Sequence, residues 1–145
     1  MLGPAGVTFA KREGDGATPA GSFALLRAYY RAAASAMLPR GLARQPISRA
    51  AIWCDAVGHA LYNRPGRLPF SPSHERLWRD DRVYDLAIVL DYNIRPRAQG
   101  RGSAIFFHLT RAPPAPTAGC VAISAAAMRR LAPRLGASAT MTIRR

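Results

Sequence analysis

No apolar run in this chain is longer than a β-strand, and that limit shapes what it can fold into. The longest runs, such as Ala104–Phe107, fall far below the ~18 apolar residues that a bilayer-spanning helix needs. No stable membrane insertion is therefore expected. Proline and glycine supply the punctuation between runs. From Arg31 to Asp81, Pro39, Pro46, Pro65, Pro69 and Pro72 interrupt any long helix or strand. That stretch reads as irregular, and a long irregular stretch inside a compact domain is more often a lid or Ω-loop than a core element.

Regular structure is expected where β-branched and aromatic residues gather. Ser22–Tyr30 and Val83–Tyr92 read as strands, the second buried. Ser103–Leu109 reads as another, with Ala104, Phe106 and His108 on one face by the two-residue period. Ser124 can cap a short helix in which Met128, Leu131 and Leu135 follow helical spacing, and Pro133 limits or kinks it. Thr140–Ile143 alternates and makes a plausible last strand. The turn-rich Lys11–Gly21 should form a shaped loop, with Lys11, Glu13 and Asp15 fixing it. With 145 residues, no internal repeat and no low-complexity linker, one domain over residues 1–145 is expected, mainly β with one or two short helices.

Charge narrows the partners only slightly. Against 8 acidic residues stand 21 basic ones, all Arg except Lys11, for a formal net charge of +13. Such an excess draws polyanions to a surface. The arginines are nevertheless spread out, with no run denser than pairs such as Arg129-Arg130 and Arg144-Arg145. Neither a recognition helix nor an aromatic RNA-binding strand accompanies them, so nucleic acid is not the expected partner. Met1–Ala10 lacks the basic-then-apolar pattern of a secretory signal. Cys54 and Cys120 are too few for a disulfide scaffold, and His59, His74 and His108 lie too far apart for a structural zinc site. No metal and no cofactor are expected.

The chemistry-bearing piece is Gly102-Ser-Ala-Ile-Phe-Phe-His108 followed by Thr117-Ala-Gly-Cys-Val121. Cysteine attacks as thiolate, and a neighbouring imidazole is one common way to generate it. A short turn-rich connector can fold back and bring His108 beside Cys120. Gly119 allows a sharp turn, so that main-chain N–H groups near Cys120 could point at a developing oxyanion. A buried, inert cysteine and a satisfied rim histidine remain the plainer readings of spacing alone.

Several ordered blocks add a resemblance. Lys11-x-Glu-Gly-Asp-Gly-x-Thr-Pro-x-Gly21, Tyr84-Asp85, Tyr92-Asn93, Gly102–His108 and Thr117-x-Gly-Cys-Val121 resemble the L,D-transpeptidase catalytic domain, the YkuD-like family. The likeness runs nearly end to end and includes Trp53–Asp55, Tyr62-Asn63 and Glu75–Trp78. It implies a β-sandwich with a long irregular lid segment and the cysteine in a cleft. It implies Cys120 as nucleophile, His108 as base and later acid, a backbone carbonyl orienting the imidazole, and N–H groups of Gly119 and Cys120 for the oxyanion. The implied reaction forms a thioester with a peptidoglycan stem peptide, releases the terminal D-amino acid, and passes the acyl group to an amine of another stem. Water as acceptor would make the same Cys/His pair an L,D-carboxypeptidase or amide hydrolase, and a non-catalytic wall-binding module is a further alternative.

The resemblance also implies a periplasmic or envelope location, acylation by carbapenem-type inhibitors and a monomer. Ala118 and Ala122 depart from the commoner family pattern, which has histidine before the Gly-Cys step and Arg or Asn two residues after the cysteine. That leaves donor, acceptor and 3-3 or 1-3 cross-link type open. Candidate substrate-binding residues are Thr117, Tyr92, Asn93, Arg101 and Ser103. Thr117 could hydrogen-bond within the cysteine loop or serve as a plain turn residue. Tyr92 and Asn93 could line the cleft or make ordinary turn chemistry, and Arg101 could grip a stem carboxylate or stay solvated. Trp53, Trp78 and Tyr62 would pack the lid or stack on sugar. Cys54 would be buried, or could form a silencing disulfide with Cys120 in an oxidising compartment.

Overall fold

The computed structural model describes all 145 residues, Met1–Arg145. Two short strands, β1 (Val7–Thr8) and β2 (Thr18–Pro19), pair in parallel across the glycine-rich loop. The long β3 (Gly21–Tyr30) follows, then a 3₁₀ helix at Ala32–Met37 and β4 (Ala43–Pro46). Next come β5 (Ala51–Cys54), β6 (Arg64–Arg67) and β7 (His74–Arg76). The second half holds β8 (Leu86–Leu90), β9 (Phe106–Leu109), β10 (Val121–Ile123), α1 (Ala125–Leu131), a 3₁₀ turn at Ala132–Arg134 and β11 (Thr140–Ile143).

The main sheet runs β10-β9-β8-β3-β11, with β4 also paired to β3. β8 is buried along its whole length, as a central strand covered on both faces must be. Its side chains alternate between two cores. Leu86, Ile88 and Leu90 face one with Phe107, Leu109, Met128 and Ala34, under α1 and the first 3₁₀ helix. Ala87 and Val89 face the other with Phe106, Tyr84, Trp53, Leu77 and Cys120. That second core is roofed by the three-stranded antiparallel sheet β6-β5-β7. The protein is mainly β, as the sequence indicated.

Several local expectations need correction. The stretch 31–81 is not irregular throughout, since it builds β4 to β7. Its strands are only three or four residues long, and Pro65 sits in β6, an outer strand of its sheet where a missing N–H is tolerated. Sequence periodicity cannot register strands that short. The expected strand Val83–Tyr92 shrinks to Leu86–Leu90, because Val83–Asp85 form a turn closed by Asp85 N–H donating to the Arg82 carbonyl at 3.0 Å. Ser103–Leu109 becomes Phe106–Leu109, because Ala104 has φ of 52° and cannot continue a pleat. Ser124 caps α1 through Oγ, which accepts from Ala127 N–H at 3.2 Å. The buried stripe is Met128 with Ala132, whereas Leu131 is 42% exposed. Pro133 falls in the 3₁₀ turn that ends the helix.

The edge of β10 is covered by the first residues of the chain. Ala122 N–H donates to the Met1 carbonyl at 2.9 Å, the Met1 ammonium donates to the Ala122 carbonyl at 2.6 Å, and Thr117 N–H donates to the Leu2 carbonyl at 3.1 Å. An open strand edge beside the cysteine loop is thereby paired. No helix is long and apolar enough to cross a membrane.

Candidate active site

Register brings the two candidate residues together. β10 pairs with β9 in parallel, with Val121 opposite Phe107 and Ala122 opposite His108. Cys120, two residues before Ala122, therefore projects from the same face as Phe106 and His108. Both Cys120 and His108 are 6% exposed and line one cleft of about 360 Å³.

The imidazole is held in one tautomer. His108 Nδ1 lies 2.8 Å from the Leu109 carbonyl, which can only accept, so Nδ1 carries the proton and Nε2 keeps its lone pair. An aromatic chain braces the ring. Tyr84 meets His108 edge-on at 5.0 Å between centroids and Phe106 at 5.6 Å, and Phe106 meets Trp53 at 5.1 Å. Each such pair adds about 0.5–1.5 kcal/mol beyond its buried area. Burial lowers the His108 pKa, because a desolvated imidazolium is disfavoured.

The thiol is also un-ionised at rest. Burial, and then the Glu75 carboxylate, push the Cys120 pKa up to about 12. Its S–H donates to the Ala104 carbonyl at 3.1 Å, and the Phe106 N–H donates to Sγ at 3.3 Å. On this shared face, the thiol and the imidazole are thus both neutral at rest.

The loop before Cys120 folds on its own hydroxyl. Thr117 Oγ1 donates to the Cys120 carbonyl at 2.7 Å and accepts from Gly119 N–H at 3.2 Å. Gly119 has φ of 132°, and a Cβ there would stand 2.7 Å from the Ala17 carbonyl oxygen. Only glycine fits. One expectation changes as a result: the Gly119 N–H is spent on Thr117, so of the two N–H groups only that of Cys120 is without a partner.

The other sequence candidates divide. Thr117 and Ser103 line the cleft, and Ser103 Oγ is buried without a hydrogen-bond partner. Tyr92, Asn93 and Arg101 do not line it. Tyr92 O–H donates to the Arg101 carbonyl, while Asn93 bridges Ala98 and Gly102, clamping the loop 93–102. Tyr62 and Trp53 are buried, and the Tyr62 hydroxyl links Glu13 to the Gly102 N–H. Asp15 closes the N-terminal loop by accepting from Lys11 Nζ, Arg12 N–H and Ala17 N–H. Trp78 packs under the Arg31 and Arg49 guanidiniums. Both cysteines are free, and Cys54 Sγ lies 3.8 Å from His59 Nδ1.

Sequence reading gave no role to Glu75, Arg79 and Tyr84, which also line the cleft. Tyr84 O–H donates to Glu75 Oε1 at 2.6 Å, Arg79 Nη1 lies 3.5 Å from the same oxygen, and the Arg79 guanidinium sits over the Tyr84 ring at 5.4 Å. Two signals were available: the scarcity of acids, and the place of Glu75 and Tyr84 in blocks that carry the family resemblance. A glutamate inside a strand of so basic a chain needs a reason.

A match to the L,D-transpeptidase catalytic domain (YkuD) extends over residues 2–143. The chain belongs to this family. No curated protein sequence and no solved structure gave a match. L,D-transpeptidase domains are enzymes acting on peptidoglycan. In this L,D-transpeptidase domain the matched span takes in the whole cleft, from Glu13 to Ala122.

Proposed function

We propose that this domain is a peptidoglycan L,D-transpeptidase working through a Cys120 thioester. The observation that carries the reading is the shared sheet face of Cys120 and His108 in one cleft, with Nδ1 tied to the Leu109 carbonyl. Because both groups are neutral at rest, His108 Nε2 takes the thiol proton as Sγ attacks the stem-peptide carbonyl. The Cys120 N–H faces the developing oxyanion. His108 then hands its proton to the departing amine of the terminal D-amino acid, and the acyl group stays on Sγ. An amine of a second stem attacks this thioester, giving a 3-3 or 1-3 cross-link and returning the proton to Sγ. Ser103 and Thr117 line the donor's path, and a carbapenem would acylate the same sulfur. The working place is the cell envelope.

The test is direct. Purified protein is incubated with disaccharide-tetrapeptide, and products are read by mass spectrometry. A dimer that has lost one D-Ala is expected from the wild type, with none from Cys120→Ala and a loss of at least about 10²-fold in His108→Ala. Tripeptide alone would make the domain a carboxypeptidase. An unchanged product profile in Cys120→Ala would sink the mechanism.

A further inference from the structure

The cleft has a neighbour. A second, more open groove of about 800 Å³ adjoins it, and the two share Asp55, Glu75, Arg79 and Ala118. Together the grooves collect five of the chain's eight acidic residues, Glu13, Asp55, Glu75, Asp80 and Asp81. Only three of its 21 basic residues, Arg76, Arg79 and Arg111, line them. On a chain of net charge +13 the grooves are locally acidic. Such a lining favours a cationic ligand over an anionic one.

Glu75 stands at the seam. Its Oε1 is occupied by the Tyr84 hydroxyl and faces Arg79, while Oε2 makes no hydrogen bond within the protein. Tyr84 in turn packs on the His108 ring, so the carboxylate is fixed relative to the dyad. Asp55, on the same seam, has a buried Oδ1 with no partner at all. A buried carboxylate oxygen left unpaired is costly unless a donor arrives to meet it.

On the reading that Cys120 forms a thioester, we infer that the second groove receives the acceptor as a primary ammonium and that Glu75 is its general base. The acceptor enters as R–NH3⁺ and gives one proton to Glu75. The resulting R–NH2 attacks the thioester carbonyl, forming the C–N bond. A second nitrogen proton passes to His108, the C–S bond breaks, and His108 protonates Sγ. Glu75 then returns its proton to solvent, so atoms and charge balance. Burial raises the Glu75 pKa, which makes it a better match for a base at neutral pH. Water carries no proton that must be removed before it attacks, so hydrolysis depends on Glu75 far less. The residue thereby sets the partition between cross-linking and trimming.

The experiment uses Glu75→Gln, which keeps an oxygen for the Tyr84 hydroxyl and replaces the carboxylate with a neutral amide that cannot act as a base. Wild type and variant are given disaccharide-tetrapeptide donor, a muropeptide acceptor and, in parallel, hydroxylamine, an amine that is largely uncharged at neutral pH. Dimer, tripeptide and hydroxamate are quantified by mass spectrometry. The expected result is a dimer-to-tripeptide ratio lower by about 10²-fold in the variant, the low end for general-base catalysis, with the hydroxamate-to-tripeptide ratio kept within about twofold. Hydroxamate formation also reports that the variant is folded and acylated. An unchanged dimer-to-tripeptide ratio, or dimer and hydroxamate falling together, overturns the assignment. If the wild type yields none of the three products, the thioester reading itself fails, which is a distinct outcome.

Discussion

The neutral resting states of Cys120 and His108 make a sharp prediction about the pH dependence of Cys120. A rise from the ordinary 9.0 to about 12 corresponds to about 4 kcal/mol against the thiolate. At pH 7 about one molecule in 10⁵ carries it, roughly a thousandfold fewer than for an unburied thiol. Iodoacetamide alkylation followed by intact mass, with peptide mapping to separate Cys120 from Cys54, measures the consequence. The logarithm of the rate should climb steadily with pH past about pH 10, without levelling in the neutral range. The shape decides the matter, since burial alone slows the reaction at every pH. A rate already level across about pH 6 to 8 is the signature of a preformed thiolate–imidazolium pair and would refute the reasoning. The same shift has a stability side. The folded state holds this proton more tightly than the unfolded chain does. Its contribution is therefore complete below 9.0 and is lost as pH rises towards about 12.

Other substitutions test the scaffold. Gly119→Ala should cost at least about 2 kcal/mol in thermal or denaturant unfolding, from backbone strain at φ of 132° and the Ala17 clash; an unchanged midpoint would count against the loop geometry. Thr117→Val removes the hydroxyl that holds both Gly119 and Cys120, for a loss of about 1–3 kcal/mol. Thr117→Ser should restore most of that stability and of the turnover. Met128→Ala, at the fully buried position of α1, should cost about 2–5 kcal/mol. It lies on the opposite face of the main sheet from Cys120, so the alkylation profile should keep its shape.

What the sequence revealed depended on the length over which each signal could accumulate. β3, with ten residues, and the alternating β11 were legible because pattern and length agreed. β5 to β7 were not, because strands of three or four residues between prolines carry too few periods to distinguish from loop. His108 and Cys120 stood out as residue types, yet spacing alone could not bring them together. That required the parallel pairing of β9 and β10, a contact between segments joined by a proline-rich loop. Ala104 shows the limit most clearly: an ordinary alanine in an apolar run takes a left-handed turn, and its carbonyl accepts a hydrogen bond from the thiol. Glu75 and Tyr84 were hidden for a related reason. They lie nine residues apart, and only the turn at Val83–Asp85 brings the Tyr84 hydroxyl to the Glu75 carboxylate.

The pairing of β10 with β9 begins at Val121, immediately after the cysteine, and the Phe106 N–H goes to sulfur instead of extending the ladder. Side chains on a strand alternate with a period of two, so a slip of one residue cannot leave His108 slightly displaced. It would send the imidazole through the sheet into the aliphatic core beneath α1 and bring Phe107 up in its place. Dyad alignment is therefore a discrete property of strand register. Random drift of the backbone can loosen this site, but only a change of ladder can disassemble it.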